Sequence, residues 1–565
     1  MDDIALNMLP HFIKALWEQA YNTHGEGGRE PAKELFSFST KSALVDFRIP
    51  NMGARSVLEH ADKELRTMEL ACNFALHAVT SYTDKLLSAT RNHRNHSTAI
   101  YGLPNELVSV IFEFAKSTAS DPEERASDRT PINLSQVSRR WRDIALTMPA
   151  LWTTVDAAGA HRDLFIERSK PRLLDIVLPD YVSNSIDDDC IAARLALEAF
   201  IPHLERWGRL SLKHIKLETL NLPPAPNLHS LYIYHSSLPL HSYISLVPIH
   251  IPFTRRPPSL RRLSLIGRSL PITSSMLVDL EELCFHKTVH QSGAELLGIL
   301  AACPRLRRFR ADRLDFADPF DRVARSNPEC IALLHLNTME LIGISDDTIR
   351  GILSSITVPS ALALGIETNK TLGRLLPPAA IIEKCLPNLL SVRTLCLEAR
   401  MDDSEVWFTG KSFGDDNILL KIIFYPSDSL TLPEIIESIA SEFGQHMPGL
   451  PLHTLSLLQI HDHYLSCVAF VALISNLSTL AVLSLDECNA PSFLVVLILT
   501  PTTQLCPSLQ SLRLRQSCIH KNTLIEVANS RRDRLLRIDI TRCNGIDGDL
   551  VLELKRVPVE IHWVQ

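Results

Sequence analysis

The chain has 565 residues, of which 45% are hydrophobic and 21% charged, and its formal net charge is −7 at pH 7. This length predicts several modules or one long solenoid, and the composition excludes wholesale disorder. A mildly acidic chain has no general attraction to nucleic acid or to an anionic membrane surface, so we predict neither as a partner.

The 12 cysteines include no C-x-x-C pair, which argues against the common metal-site spacings. Met1-Asp2-Asp3 does not resemble the start of a signal peptide, and clean apolar runs such as Phe493 to Leu499 are too short to span a bilayer. We therefore expect a cytoplasmic or nuclear protein with reduced thiols.

Residues 1–55 show little pattern and are interpreted as an N-terminal extension. In residues 56–97, apolar side chains alternate steps of three and four, which predicts one long helix of roughly 35–40 residues. The seam consists of Leu58, Ala61, Leu65, Met68, Cys72, Ala75, Val79, Tyr82, Leu86 and Ala89. The helix either packs on a neighbouring domain or forms a homodimeric coiled coil. Alanine and cysteine bury little area, which favours the first alternative.

Residues 98–154 predict a small helical unit. A helix opens at Leu103-Pro104, where proline suits the first helical position. Its apolar residues recur with helical spacing: Leu103, Leu107, Val110, Ile111 and Phe114. After the polar residues 117–130, a second helix is expected from Asn133 or Ser135, with an apolar hook at Leu151-Trp152. A unit this small cannot bury the apolar faces of both helices. We therefore expect one face to contact a partner.

The unit resembles an F-box. The resemblance lies in Leu103-Pro104-x-Glu106-Leu107-x-x-x-Ile111-Phe112, then Leu134-Ser135-x-Val137-Ser138-Arg139-Arg140-Trp141-Arg142-x-Ile144-Ala145, then Pro149-x-Leu151-Trp152. It implies docking to a Skp-type adaptor and, through it, to a cullin. The residues implied in adaptor contact, or in support of that surface, are Leu103, Pro104, Leu107, Ile111, Val137 and Trp141.

Two features depart from the family pattern. Ser138 stands where the family often has Cys, and the polar stretch between the helices is longer than in a compact F-box. We interpret that stretch as a loop insertion, which chain entropy tolerates. A generic helical hairpin is the alternative interpretation of the whole unit. A long helix just before the F-box is also similar to an arrangement common in fungal F-box proteins.

Residues 155–215 are interpreted as a bridging or capping segment. Leu173 to Leu178 predicts a strand, and Ile191 to Trp207 predicts a helix.

Residues 216–565 contain ten units related to L-x-x-L-x-L. They begin at Leu228, Leu260, Leu280, Leu306, Leu336, Val392, Leu452, Leu480, Leu509 and Leu535. Most starts are about 20–32 residues apart, and two gaps about twice as long each leave room for a degenerate unit. Plausible strands there are Ser360 to Ile366 and Ile418 to Tyr425.

These units resemble an irregular leucine-rich-repeat array. The resemblance implies an α/β solenoid, so the predicted fold is a long helix and a small helical F-box followed by that array. An α/β domain whose buried strands happen to be rich in leucine is the alternative.

Three common nucleotide-binding or catalytic signatures are absent: the chain lacks G-x-x-x-x-G-K-[ST], G-x-G-x-x-G and H-E-x-x-H. His461 and His463 lack an evident third ligand, so we predict a surface turn there. We expect a protein that is not an enzyme, with no cofactor and no metal.

Several arginines occupy the x positions of the repeats, which point outward from a solenoid's strands. They are Arg261, Arg262, Arg307, Arg308, Arg310, Arg513 and Arg515, with Glu281 and Glu282 between the first two sets. If the strands stack, an arginine-rich stripe results. Arginine pairs well with carboxylate or phosphate, which predicts an acidic or phosphorylated client. Ordinary solvated charge is the alternative.

Together, the two resemblances imply a substrate receptor of an SCF-type (Skp–cullin–F-box) ubiquitin ligase. The F-box would dock the adaptor, and the repeats would hold a client protein. The alternative is a non-catalytic repeat scaffold with no role in ubiquitination.

Overall fold

The computed structural model describes most of the chain after residue 53. The described residues are 54–117, 129–178, 186–213, 222–234, 253–255, 257–267, 277–290, 292–316, 330–400, 402, 404–414, 417–427, 430–447, 450–489, 491–500 and 504–564. Nearly all of the predicted N-terminal extension, and residues 118–128 of the predicted insertion, lie outside them.

The α-helices are α1 Ala54–His96, α2 Asn105–Ser117, α3 Thr130–Val137, α4 Arg139–Thr147, α5 Arg162–Arg168, α6 Ile186–Glu198, α7 Gly293–Ala301, α8 Asp346–Ser355, α9 Leu372–Leu375, α10 Ala379–Cys385, α11 Pro387–Leu390, α12 Leu432–His446, α13 Cys467–Ser475, α14 Pro491–Val496, α15 Lys521–Ser530 and α16 Gly548–Leu554.

The strands are β1 Thr154–Asp156, β2 Leu174–Val177, β3 Trp207–Lys213, β4 Ser230–Tyr234, β5 Arg262–Ile266, β6 Glu282–His286, β7 Val289–His290, β8 Arg308–Asp312, β9 Asp315–Phe316, β10 Ile331–Ala332, β11 Thr338–Ile342, β12 Ile356–Thr357, β13 Ala363–Thr368, β14 Thr394–Arg400, β15 Glu405–Lys411, β16 Ile418–Phe424, β17 Thr454–Leu458, β18 Val482–Asp486, β19 Ser511–Arg515, β20 Arg537–Thr541 and β21 Glu560–Val564.

The chain forms two compact units. The first comprises Met1–Ala115 and Ile132–Ala145, and the second comprises Lys116–Pro131 and Leu146–Gln565. The apolar hook at Leu151-Trp152 falls in the second unit. Its Trp152 is buried and meets Phe165 edge-on at 5.1 Å between ring centroids. This aromatic contact explains why the hook belongs with the residues that follow it.

One uninterrupted helix, α1, occupies the segment in which the heptad pattern predicts a long helix. His93, Arg94 and His96 lie in its last turn, where positive charge is favourable to the helix dipole. Its described leucine and valine seam residues are exposed rather than buried. In the part of the chain that the structure describes, no helix is both long enough and apolar enough to cross a membrane.

In the described residues after α1, the three α-helices α2, α3 and α4 stand where the sequence predicts two. Helix α2 begins at Asn105, and the Pro104 carbonyl accepts from the Val108 N–H at 3.1 Å. The single second helix predicted from Asn133 or Ser135 is wrong, because α3 and α4 are separated at Ser138. The Ser138 Oγ accepts a hydrogen bond from the Trp141 N–H at 3.2 Å. A serine that satisfies a free N–H in this way starts a new helix.

Within the described residues, the second unit is built on a 17-stranded sheet. Hydrogen bonding gives the order β1-β2-β3-β4-β5-β6-β8-β11-β13-β16-β15-β14-β17-β18-β19-β20-β21. All neighbours are parallel except at β15, which is antiparallel to β14 and β16. Two short parallel pairs, β7 with β9 and β10 with β12, accompany the sheet.

The leucine-rich units coincide with strands, and their apolar residues stand in register. Leu231, Leu263, Leu283, Phe309 and Met339 are successive partners across β4, β5, β6, β8 and β11, and all are buried. Alternate strand residues therefore form one continuous apolar layer. The two long gaps hold β13 and β16, close to the strands expected there.

The bridging segment is part of the same sheet. The strand expected at Leu173 to Leu178 coincides with β2, but the helix predicted from Ile191 to Trp207 is wrong in extent. Helix α6 ends at Glu198, a 3-10 turn containing Pro202 follows, and Trp207 opens β3. Proline disfavours continuation of an α-helix. Strand β3 pairs with both β2 and β4.

Candidate functional site

One side of α2 exposes large apolar side chains. Leu107, Val110, Ile111 and Phe114 are between 38% and 70% exposed. Their spacing of three and four residues places them along one side of the helix. Pro104, immediately before the helix, is exposed as well. This group, Pro104 with the four α2 side chains, is called the apolar stripe below.

The opposite side of α2 forms the core of the helical unit. Val108 and Phe112 are fully buried, and the Phe112 ring meets Trp141 of α4 edge-on at 5.0 Å. Ile144 and Ala145 of α4 are buried too. Trp141 is half-buried, so it supports α2 from within the unit. The sequence predicted roles for Pro104, Leu107, Ile111 and Trp141 but assigned no core role to Val108 or Phe112.

Arg140 holds the residues that immediately precede α2. Its guanidinium donates to the carbonyl oxygens of Tyr101 and Leu103 and to the Asn105 Oδ1, the last at 2.8 Å and 3.0 Å. The same group lies 5.4 Å from the centre of the Tyr101 ring. Arg140 thereby orients the Leu103-Pro104 corner from α4. Sequence reasoning missed this role, because no local pattern marks a contact between residues so far apart in the chain.

The six residues predicted for adaptor binding fall into two groups. Pro104, Leu107, Ile111 and Val137 are exposed, whereas Leu103 and Trp141 are half-buried. Val137 ends α3, and the other three exposed residues lie at or on α2. Val110 and Phe114, which were seen in the helical pattern but not assigned to the site, extend the exposed set along α2.

Residues 100–158 match the family model described as F-box-like. This stretch is an F-box-like domain. Such a domain implies binding of a Skp-type adaptor and indicates an adaptor role in an SCF-type ubiquitin ligase, and F-box proteins are generally non-catalytic. A search of curated proteins finds no match to the chain. The apolar stripe belongs to the F-box-like domain.

A second candidate surface is the open face of the sheet, where arginines alternate with carboxylates. Arg262, Glu282 and Arg308 are partners across β5, β6 and β8. The Glu282 carboxylate lies 3.3 Å from the Arg262 Nε and 3.4 Å from the Arg308 Nη1. Arg310 pairs with Glu340 of β11 at 3.0 Å. Strand register thus places carboxylates beside these arginines.

The seven arginines do not lie in one continuous stripe. Arg513 and Arg515 lie on β19, separated from β8 by seven strands, or roughly 38 Å at ~4.8 Å per strand. They pair with Asp539 at 3.8 Å and Asp486 at 3.3 Å. Arg261 pairs with Glu281 at 3.7 Å, while exposed Arg307 has no ion pair among the described residues. The structure therefore shows two separate clusters of mixed charge.

His461 lies in the turn after β17, as the sequence predicted. Its Nδ1 accepts a hydrogen bond from the Asn489 N–H at 2.9 Å. Burial, with a smaller effect from His463, lowers the pKa of His461. Within the described ranges, no three His, Cys, Asp or Glu side chains are grouped so as to hold a metal ion.

Proposed function

We propose that this protein is the substrate receptor of an SCF-type ubiquitin ligase. The apolar stripe of the F-box-like domain carries the proposal. Four large apolar side chains aligned on one exposed helix side form the kind of patch that marks a protein interface. Leu107, Ile111 and Val137 would contact the Skp-type adaptor together with Pro104, and Leu103 and Trp141 would support that surface.

The proposed mechanism is proximity rather than chemistry. The adaptor would link the receptor to a cullin, and the second unit would hold the client near the charged ubiquitin-conjugating enzyme. Holding both reactants on one assembly raises their effective concentration, which is how such a receptor accelerates transfer without catalytic residues of its own. A cytoplasmic or nuclear location fits this role.

We further propose that the second unit is an irregular leucine-rich-repeat array, as in F-box proteins of a type common in fungi. In its support, the L-x-x-L-x-L leucines stand in register on successive parallel strands. Helices α7, α8 and α9 contact one another in chain order, as expected when strand-plus-helix repeats stack. The open face would then be the client surface.

The client contact is proposed at the cluster of Arg262, Arg307, Arg308 and Arg310. An acidic or phosphorylated client segment would bind these guanidinium groups in competition with Glu282 and Glu340. Replacement of Arg307 and Arg308 by Glu is expected to weaken client capture by about tenfold or more. The matched control replaces Arg513 and Arg515 by Glu, seven strands away, and should leave capture unchanged. Equal effects of the two double variants would overturn this assignment.

Adaptor binding is tested with the full chain and purified Skp-type adaptor. Leu107→Asp with Ile111→Asp is expected to weaken binding at least ~100-fold, because two apolar contacts are lost and two charges are desolvated. Leu552→Asp, at an exposed leucine of α16, is the control and should bind normally. Failure of the unaltered protein to bind the adaptor, or to co-purify with a cullin, would favour the scaffold function instead.

A further inference from the structure

Several apolar seam residues of helix α1 are exposed to solvent. Leu58, Leu65, Val79 and Leu86 are between 39% and 66% exposed, and all four occupy the same position of the heptad. Ala61 and Ala89, at the other seam position, are exposed as well. A helix of 43 residues is about 65 Å long. Most of the stability of such a helix comes from packing its apolar side.

We propose that a second copy of this chain covers the seam, and that the two α1 helices pair as an antiparallel coiled coil. The pattern meets the requirement for a two-stranded coil, since apolar residues recur every 3.5 residues over more than four heptads. The exposed leucines of α1 also argue against the alternative that this side is buried against the described helices of its own unit.

The charge distribution of α1 favours the antiparallel direction. Residues 54–75 carry four carboxylates and three Lys or Arg side chains, whereas residues 76–96 carry one carboxylate and three Lys or Arg side chains. Antiparallel pairing sets the acidic half of one helix beside the basic half of the other. It also opposes the two helix dipoles, which is favourable.

The charged residues at the heptad positions that flank the seam also favour the antiparallel direction. Glu64 and Lys85 both occupy the g position, so antiparallel pairing sets Glu64 beside the partner's Lys85, twice by symmetry. Parallel pairing instead sets Glu64 beside the partner's Glu69, and like charges at these positions disfavour association. The antiparallel arrangement thus gains two opposite-charge pairs, whereas the parallel arrangement has two like-charge pairs.

Side-chain size is also better matched in the antiparallel arrangement. Each core layer then joins the two different seam positions, so that Leu58 lies opposite the partner's Ala89 and Leu86 opposite the partner's Ala61. Parallel pairing would instead stack alanine on alanine in those layers, which buries little area.

The seam is tested by the oligomeric state of the full chain in sedimentation equilibrium. We expect a dimer that Leu86→Glu weakens at least ~100-fold, because two buried leucines are replaced by charges. Leu87→Glu is the matched control: Leu87 is the next residue and is similarly exposed, but lies off the seam. It should leave the dimer intact. A monomeric protein at micromolar concentration, or equal effects of the two variants, would overturn the proposal.

The direction is tested by charge exchange. Lys85→Glu is expected to weaken the dimer about tenfold, because the new carboxylate would meet the partner's Glu64 twice. Adding Glu64→Lys should restore the original affinity. In a parallel dimer, Lys85→Glu alone would have no effect, which would overturn the antiparallel arrangement. Self-association is measured without adaptor or cullin. A negative result would therefore overturn the coiled-coil proposal without bearing on the proposed ligase role.

Discussion

The helical F-box segment and the sheet use similar apolar residues in opposite ways. On α2, Leu107 and Ile111 are exposed, whereas in the sheet Leu455 and Leu483 are completely buried between register-matched neighbours. A few short helices can bury only one side of each helix, while a largely parallel sheet of 17 described strands covers its leucines with successive strands and helices. Apolar residues left exposed by a small unit therefore indicate an interface rather than a packing defect.

The largest expected effect concerns a buried charge in the second unit. The Arg531 guanidinium donates to the carbonyl oxygens of Leu497, Leu505 and Cys506 at 2.6, 2.7 and 2.9 Å. Arg531→Met should lower the free energy of unfolding of this unit by about 4 kcal/mol, because three carbonyls lose their donor. Chemical denaturation of the full chain measures it. Exposed Arg534, which donates one bond to the Pro507 carbonyl, provides the control as Arg534→Met.

The next effect tests the contrast between the two regions directly. Leu483→Ala in β18 should cost about 3 kcal/mol of unfolding free energy, since it leaves a cavity in the apolar layer. Leu107→Ala on α2 should change stability by less than about 0.5 kcal/mol, because its side chain is half exposed already. Thermal and chemical unfolding of both variants measure this difference. Comparable losses would mean that the stripe stabilises the fold and is not reserved for a partner.

The smallest expected effect is a pH dependence at His461. Its lowered pKa means that the unfolded chain, with histidine near 6.5, takes up a proton before the folded chain does as the pH falls. The free energy of unfolding should therefore fall below about pH 6.5, and level off below the folded pKa. His461→Asn keeps an acceptor for the Asn489 N–H without titrating, so its stability should fall less between pH 7 and pH 5.5. Parallel pH profiles of the two proteins would contradict this role.

Local pattern predicted much of the fold. The 3.5-residue period marked α1, and the L-x-x-L-x-L units marked the strands, because helix and strand periods depend on neighbouring residues alone. The errors lie at the ends of helices. The Ser138 hydroxyl separates α3 from α4, and α6 ends before Pro202. Neither residue changes the apolar periodicity around it.

The F-box-like segment was predicted from the sequence, but the orientation of its side chains was not. The sequence identified the F-box residues, yet it could not tell that Pro104, Leu107 and Ile111 face solvent while Trp141 lies against Phe112. That choice depends on which helix faces meet, which is a property of tertiary packing. Likewise, Arg140 orients the Leu103-Pro104 corner through contacts that no local spacing reveals.

By itself, the sequence determined the long helix, the F-box resemblance and the leucine-bearing strands, because each depends on short-range periodicity or on an ordered motif. Only the tertiary structure decided the strand order around β14, β15 and β16, and with it the distance between the arginines of β8 and β19. Strand order sets which charges become neighbours across the sheet. It therefore also decided that the arginines stand beside carboxylates such as Glu282 and Asp486 instead of forming one stripe.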